Sequence, residues 1–323
     1  MHAFINSSFK IGSLTLPNRL IQGPLAGYSC APFRVLFNHY RSPAYCVTEM
    51  SSAKDILEKH SLNSRYVYRS PKEHLLSYQI SGTESKILAK AAQKLQVHGA
   101  DIIDINCGCP KSKIRKKGAG SALLEKPEQL VRIIEEVRAA IAIPLTIKIR
   151  IQGNDNDLLL AKKIEEAGAD ALIIHGRRWV DDYDIASDFE QIAHIKKMTS
   201  IPVIANGDIH DLASLQRAIE LSGCDAFMIS RAGTGKPWLY KELLEQQKQS
   251  IDFKEQAMIF RGHLQQLAKL ENEMKAVLQS KSLIRYYFGK LLNASLLNQF
   301  YTFNSLDEIY RFLDAMPQYL KSS

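Results

Sequence analysis

Apolar residues fall along this chain in eight short runs separated by longer amphipathic stretches. The runs predict strands at Leu20–Leu25, Tyr45–Met50, Leu75–Ile80, Ile102–Asn106, Leu145–Arg150, Ala171–His175, Val203–Asn206 and Ala226–Ser230. Most are nearly continuous, as parallel strands buried on both faces are. Between several of them the period changes to that of a helix, at Ser85–His98, Pro127–Ala140, Asp157–Ala167 and Asp211–Ser222. Each of these ends near a Gly, an Ala-Ile-Pro or a Ser-Gly stop. Eight β-then-α units predict an α/β fold, a (β/α)8 TIM barrel. An open doubly wound sheet is the alternative, but eight units of this regularity favour closure. A hairpin over Phe9–Leu16, turning at Gly12-Ser13, precedes the first strand.

After Trp238 the strand candidates stop. From about Ser250 the sequence is Leu-, Gln-, Lys- and Tyr-rich with helical periodicity. The expected organisation is a barrel over residues 1–245 and a helical domain of three or four helices over 250–323. The polar segment Lys241–Asp252 is read as the connection. On one helical face of that domain Lys281 and Arg285 lie near Tyr286, either as a solvated face or as a phosphate contact.

Composition narrows the function. With 323 residues, 46% of them hydrophobic, the chain can bury a sizeable core. No apolar run reaches about 18 residues, so no membrane span is expected. The N-terminus lacks the layout of a secretory signal. The five cysteines are an odd count without staple-like spacing, which points to a reduced, cytoplasmic protein. Cys107 and Cys109 have no second pair at finger spacing, so no metal site is expected. The net charge of +8 favours an acidic partner. Much of it is concentrated just after Cys109, at Lys111, Lys113, Arg115, Lys116 and Lys117.

Chemistry in a barrel sits where the strands end. The exits here carry Gly23-Pro24-Leu25-Ala26-Gly27, Glu49-Met50, Gln79, Asn106 with Cys109, Lys148 with Arg150, His175-Gly176-Arg177, Asn206-Gly207-Asp208 and Ser230-Arg231. A thiol at a strand exit is a usable proton donor near neutrality. Alternatively it is a buried, inert Cys. Lys148, inside an apolar strand, is costly to bury without an anionic partner. A bound anion or electron-rich ring would satisfy it, as would a salt bridge to Glu49 or Asp104. Ser230-Arg231 follows strand eight, where barrels hold phosphate through backbone N–H groups.

These blocks resemble those of the tRNA-dihydrouridine synthases, the bacterial B-type most of all. GPLAGYSCAPFR, QISG, DINCGCP, GAGSALL, TIKIR, IIHGR, IPVIANGDI and MISRAGTGKPW stand in the family's order, and DINCGCP is the most specific. The resemblance implies FMN-dependent reduction of uridine in tRNA to 5,6-dihydrouridine, with NADPH as electron donor. It implies FMN contacts at Pro24, Leu25, Ala26, Gln79, Lys148, His175, Asn206, Gly207 and Asp208, with the phosphate near Ser230 and Arg231. Cys109 would be the proton donor. Asn106, Lys113, Arg115, Lys117 and Arg177 would contact the RNA. No obligate protein partner is evident.

The sequence departs from the family at Leu25 and Ser230. It departs most in the loop after His175-Gly176-Arg177, which here reads Arg178-Trp179-Val180-Asp181-Asp182. Two other readings remain: a flavin-dependent ene reductase acting on a small molecule, and a flavin-carrying RNA-binding protein with little turnover.

Overall fold

In the computed structural model, which describes residues 1–321, the eight apolar runs form one closed parallel sheet. Its strands are β1 (Leu20–Gln22), β2 (Cys46–Val47), β3 (Leu76–Ser81), β4 (Ile102–Cys107), β5 (Leu145–Arg150), β6 (Ala171–His175), β7 (Val203–Asn206) and β8 (Ala226–Ile229). Each pairs in parallel with the next. Closure comes from β8 beside β1, with Phe227 opposite Leu20 and Ile229 opposite Gln22. The barrel is therefore closed, and the open-sheet alternative is excluded.

Burial on both faces hides a period of two. Ile103, Ile105 and Cys107 of β4 and Leu145, Ile147 and Ile149 of β5 pack outward against the helices. The alternate residues point inward. Toward the N-terminal ends these are apolar, including Ile21, Ile102, Ala171, Ile173, Ile204 and Ala226. The hairpin of Phe9–Ile11 and Leu14–Leu16 adds Phe9, Ile11 and Leu16 to that cluster and plugs this end of the barrel. Toward the C-terminal ends the inward residues turn polar, and there the site lies.

Strand one ends at Gln22, short of the expected Leu25, and two larger departures follow. Strand two, expected over Tyr45–Met50, breaks into Cys46–Val47 and Ser51–Ser52. Between them Thr48 takes the Gln79 N–H on its side-chain oxygen at 3.1 Å. Glu49 turns to accept the Gly27 N–H at 2.6 Å and Arg65 Nε at 2.6 Å. The connection after the barrel is also not all irregular, because Leu239–Glu245 is helical.

Four helices follow, Phe253–Leu270, Glu273–Phe288, Ala294–Thr302 and Leu306–Lys321; residues 322–323 of the expected 250–323 segment lie outside the described part. Asp252, Asn272 and Asn293 cap the first three through side-chain oxygens. Their apolar faces form a second core around Phe260, Leu264, Ile284, Phe288 and Phe300, into which Cys30, Leu36 and Trp238 also pack.

Arg65 ties the two cores together. It donates to Glu49, to Glu271 at 2.6 Å, to Gln279 at 2.7 Å and to the Gly27 carbonyl at 2.7 Å. One guanidinium thus fixes the β1 exit and the helical segment at once.

His263 is fully buried in the second core, with Nδ1 3.2 Å from the Tyr287 hydroxyl. Burial pushes its pKa down to about 3. The folded chain therefore binds fewer protons there than the unfolded chain, and the resulting stability is lost as pH falls from about 6.5 toward 3. Denaturant unfolding at pH 7 and pH 5 tests this. His263→Phe is expected to lose about 2 kcal/mol less than the parent over that interval; equal losses would contradict it.

Candidate functional site

The polar ends of the inward faces meet as one hydrogen-bonded layer. Asn106 Nδ2 donates to Gln79 Oε1 at 2.9 Å, and Gln79 Nε2 donates to Asp104 at 2.7 Å. Thr146 Oγ1 donates to the other Asp104 oxygen at 2.6 Å. Lys148 stands opposite Asn106 in the β4–β5 register. Its ammonium donates to Asn206 Oδ1 at 2.9 Å, while Asn206 Nδ2 donates to the Met228 carbonyl at 2.8 Å.

Neither candidate carboxylate forms an ion pair with Lys148. Glu49 is spent on Arg65, and Asp104 on Gln79 and Thr146. Burial lowers the Lys148 pKa, with the charge of Asp104 opposing the shift. Burial likewise raises the Asp104 carboxyl, against the bonds from Thr146 and Gln79 and the charge of Lys148. His175 is held well below its ordinary value by burial and then by the surrounding cations, Lys148 first. Its ring is neutral at physiological pH.

Cys109 sits on a loop braced from every side. Asn106 Oδ1 accepts the N–H groups of Gly108 at 3.3 Å and Cys109 at 3.0 Å. Arg150 Nε donates to the Gly108 carbonyl at 2.9 Å. The Ser121 N–H and hydroxyl both donate to the Cys109 carbonyl, at 3.1 and 3.0 Å. Gly120 makes this possible, because it adopts φ +62° and a Cβ there would lie 2.8 Å from the Cys109 oxygen. The two neighbouring thiols part because β4 ends at Cys107 and the chain turns before Cys109. Cys107 faces the helix-packed core, and Cys109 lines the cavity.

That cavity has a volume of ≈ 1150 Å³ and gathers every expected cofactor position: Pro24, Leu25, Ala26, Gln79, Lys148, His175, Asn206, Gly207, Asp208, Ser230 and Arg231. Asn106 and Cys109 line it too. Gly207, at φ +125°, lets the wall approach closely, since a Cβ there would lie 2.0 Å from Ser187 Oγ. Arg231 is exposed, with its guanidinium 3.9 Å from the centre of the Tyr183 ring. Burial raises the Asp208 carboxyl, but the Ser187 N–H and Arg177 outweigh it and hold the group below the ordinary range.

The expected RNA contacts separate. Lys113 and Lys117 are exposed beyond Cys109, where Ser112–Arg115 forms a single helical turn. Arg115 is compensated: it donates to Ser121 at 3.0 Å and to Glu125 at 2.6 Å. Arg177 lines the cavity but is buried, and its guanidinium donates to Asp208, Ser187 and the carbonyls of Tyr183 and Ile185.

The cavity continues to the helical segment. Its lining there includes Phe253 and Lys290, which the sequence reading does not single out, beside Arg285 and Tyr286, which it weighs as a phosphate contact or a solvated face. Tyr28 and Tyr286 meet edge to face across the junction, with ring centroids 5.8 Å apart. The pairing of Arg285 with Tyr286 was the available signal, and it reads equally as a solvated face.

A family model described as dihydrouridine synthase matches residues 21–317. The chain is 34% identical over 318 residues to "tRNA-dihydrouridine synthase B" of Vibrio vulnificus, covering 96% of this chain and 98% of the relative. It is 41% identical over 241 residues to the protein of that name in Pseudomonas aeruginosa, covering 73% and 72%. Among solved structures it resembles morphinone reductase, with a TM-score of 0.56 and 11% identity over 76% of this chain and 91% of that one. It also resembles the old yellow enzyme homologue of Zymomonas mobilis, at 0.56 and 15% over 77% and 94%. At such identities these structures show the fold alone.

The site's geometry implies one readily accessible thiol in the native protein. Cys30, Cys107 and Cys224 are buried, and burial pushes the half-buried Cys46 thiol far up. A disulfide reagent such as DTNB is expected to modify Cys109 first, as located by peptide mass mapping. Gly120→Ala is expected to change that rate and to lower stability by about 1–3 kcal/mol through backbone strain. Parental reactivity and stability in the variant would contradict the bracing of the loop.

Proposed function

Because the chain belongs to the dihydrouridine synthase family, we propose that it reduces specific uridines in tRNA to 5,6-dihydrouridine, with FMN as cofactor and NADPH as electron donor. The observation that carries this reading is one cavity holding both an accessible thiol and a buried ammonium with no carboxylate partner among the described residues.

The residues present fit FMN. Pro24, Leu25 and Ala26, with Gly207, offer backbone walls to a flat ring system. Gln79, Lys148, His175 and Asn206 supply polar side chains. Gly207, Asp208, Ser230 and Arg231 stand at the ends of β7 and β8, where barrels hold a phosphate. The Asp208 carboxylate is turned to Arg177 and Ser187, so it does not oppose an anion as a free charge would.

When bound and reduced, FMN supplies the hydride that adds to uracil C6. Lys148 spends one ammonium hydrogen on Asn206 and keeps the others for negative charge at the cofactor's edge. Neutral His175 can offer a hydrogen bond without adding a further charge. Cys109 delivers its thiol proton to C5 of the uracil enolate, a step no permanently ionised carboxylate could perform. Asn106 aims that thiol through its Oδ1, while the second hydrogen on Nδ2 is left for the pyrimidine.

A uridine within folded RNA must be splayed out to reach the cavity. Lys113 and Lys117 are placed to meet its phosphates. Arg177 serves the substrate indirectly, by pinning the loop that follows it. Among the described residues no helix is long and apolar enough to cross a membrane. Five unpaired cysteines suit the reducing cytoplasm, where tRNA is found.

The purified holoprotein is expected to be yellow, and Cys109→Ala to keep its flavin spectrum. Dihydrouridine formation in that variant, measured by mass spectrometry of the RNA, should fall about 100-fold or more. A fully active variant would remove Cys109 as the acid. Lys113→Ala with Lys117→Ala is expected to weaken tRNA binding and to reduce the slope of log affinity against log salt by roughly 0.7–0.9 per lost phosphate contact. An unchanged slope would take the RNA backbone away from this turn.

A further inference from the structure

The loop between β6 and the Phe189–Met198 helix exposes an unusual amount of apolar surface. Trp179 is 38% exposed, Val180 57%, Tyr183 62% and Ile185 50%. The segment is fixed in place. Arg178 forms an ion pair with Asp181 at 2.8 Å, and Arg177 holds the carbonyls of Tyr183 and Ile185. A rigid exposed aromatic loses little conformational entropy on binding.

Trp179 is also oriented from outside its own loop. The Arg115 guanidinium lies 3.5 Å from the centre of the indole ring, and Arg115 is itself anchored to Ser121 and Glu125. This stack joins the segment beyond Cys109 to the β6 exit. Trp179 does not line the cavity, so its ligand is not the group that enters there. Charge further limits what that ligand is. Asp182 and Asp184 are exposed in the same loop and disfavour a phosphate beside them, whereas Lys111, Lys113, Lys116 and Lys117 are exposed on the adjoining segment. A polyanion with uncharged flat faces satisfies both sides.

We propose that the indole of Trp179, backed by Arg115, stacks on a nucleobase next to the uridine being reduced, while the lysines beyond Cys109 take the phosphates. The proposal rests on the reading that RNA uridine is the substrate, and it assigns Trp179 to substrate positioning, not to the chemistry. Base–aromatic stacking tolerates any base, so Trp179 contributes affinity and placement with little sequence preference.

The chain has two tryptophans, and Trp238 is buried in the second core. In the Trp238→Phe holoprotein the remaining tryptophan emission therefore reports on Trp179. Titration with an unmodified tRNA transcript is expected to quench it, with a midpoint matching the affinity measured independently by filter binding. Trp179→Ala is expected to keep its flavin spectrum, bind the transcript about tenfold more weakly, retain kcat at saturation and show the parental salt slope. Trp179→Phe should recover most of the affinity. Unchanged emission while the transcript binds, or parental affinity in Trp179→Ala, would overturn the proposal and leave the exposed loop to a protein contact. A parental protein that neither binds nor reduces the transcript would overturn both this inference and the reading beneath it.

Discussion

A lysine ammonium buried at the mouth of the barrel, without a carboxylate to pair with, is the constraint on which the site depends. An isolated buried charge is expensive, and among the described residues Lys148 has one side-chain partner, the neutral Asn206. Asp104 lies deeper in the same barrel and acts at a distance, with its own oxygens taken by Gln79 and Thr146. The layer is thus built with positive charge left to meet a ligand. The apolar lower half of the barrel, sealed by the N-terminal hairpin, keeps water from supplying that compensation from below.

The rest of the architecture holds groups around that charge. The β4 exit presents Cys109 on a loop that Asn106, Arg150, Ser121 and Gly120 pin through its backbone. The β1 exit is pinned by Glu49 and Arg65, and the same arginine reaches the helical segment. The wall of the cavity and the helical segment therefore share one anchor. The β6 exit is pinned by Arg177 and Asp208. At the Cys109 loop the side chains of Asn106, Arg150 and Ser121 act on backbone groups, which leaves the Cys109 side chain itself available to the cavity.

Much of this was legible in the chain. Continuous apolar runs gave the strands, and polar residues at their C-terminal ends marked the cavity, because in a strand every second residue shares a face. Gln79, Asn106, Lys148, His175 and Asn206 were readable for that reason. The break in the second strand was not, since it depends on Glu49 finding Gly27 and Arg65 in space. The loss of Arg115 and Arg177 as free cations was equally hidden: their partners lie in the loops that follow, and a charge count cannot show which cation is already compensated. The helical side of the cavity was obscured because Arg285 and Tyr286 occur on a face that also suits solvent. The strand period alone would put Cys107 and Cys109 on one face; that Cys107 packs in the core while Cys109 lines the cavity depends on β4 ending at Cys107, which the sequence does not show.

The most direct test of the central claim is the affinity of oxidised and reduced FMN for the parent and for Lys148→Met, measured as a midpoint potential of the bound flavin. If Lys148 is held for the anionic cofactor, the variant should still bind oxidised FMN but lose roughly tenfold more affinity for the reduced form, a fall in midpoint of about 30 mV. An unchanged potential, or equal loss of both forms, would contradict the account.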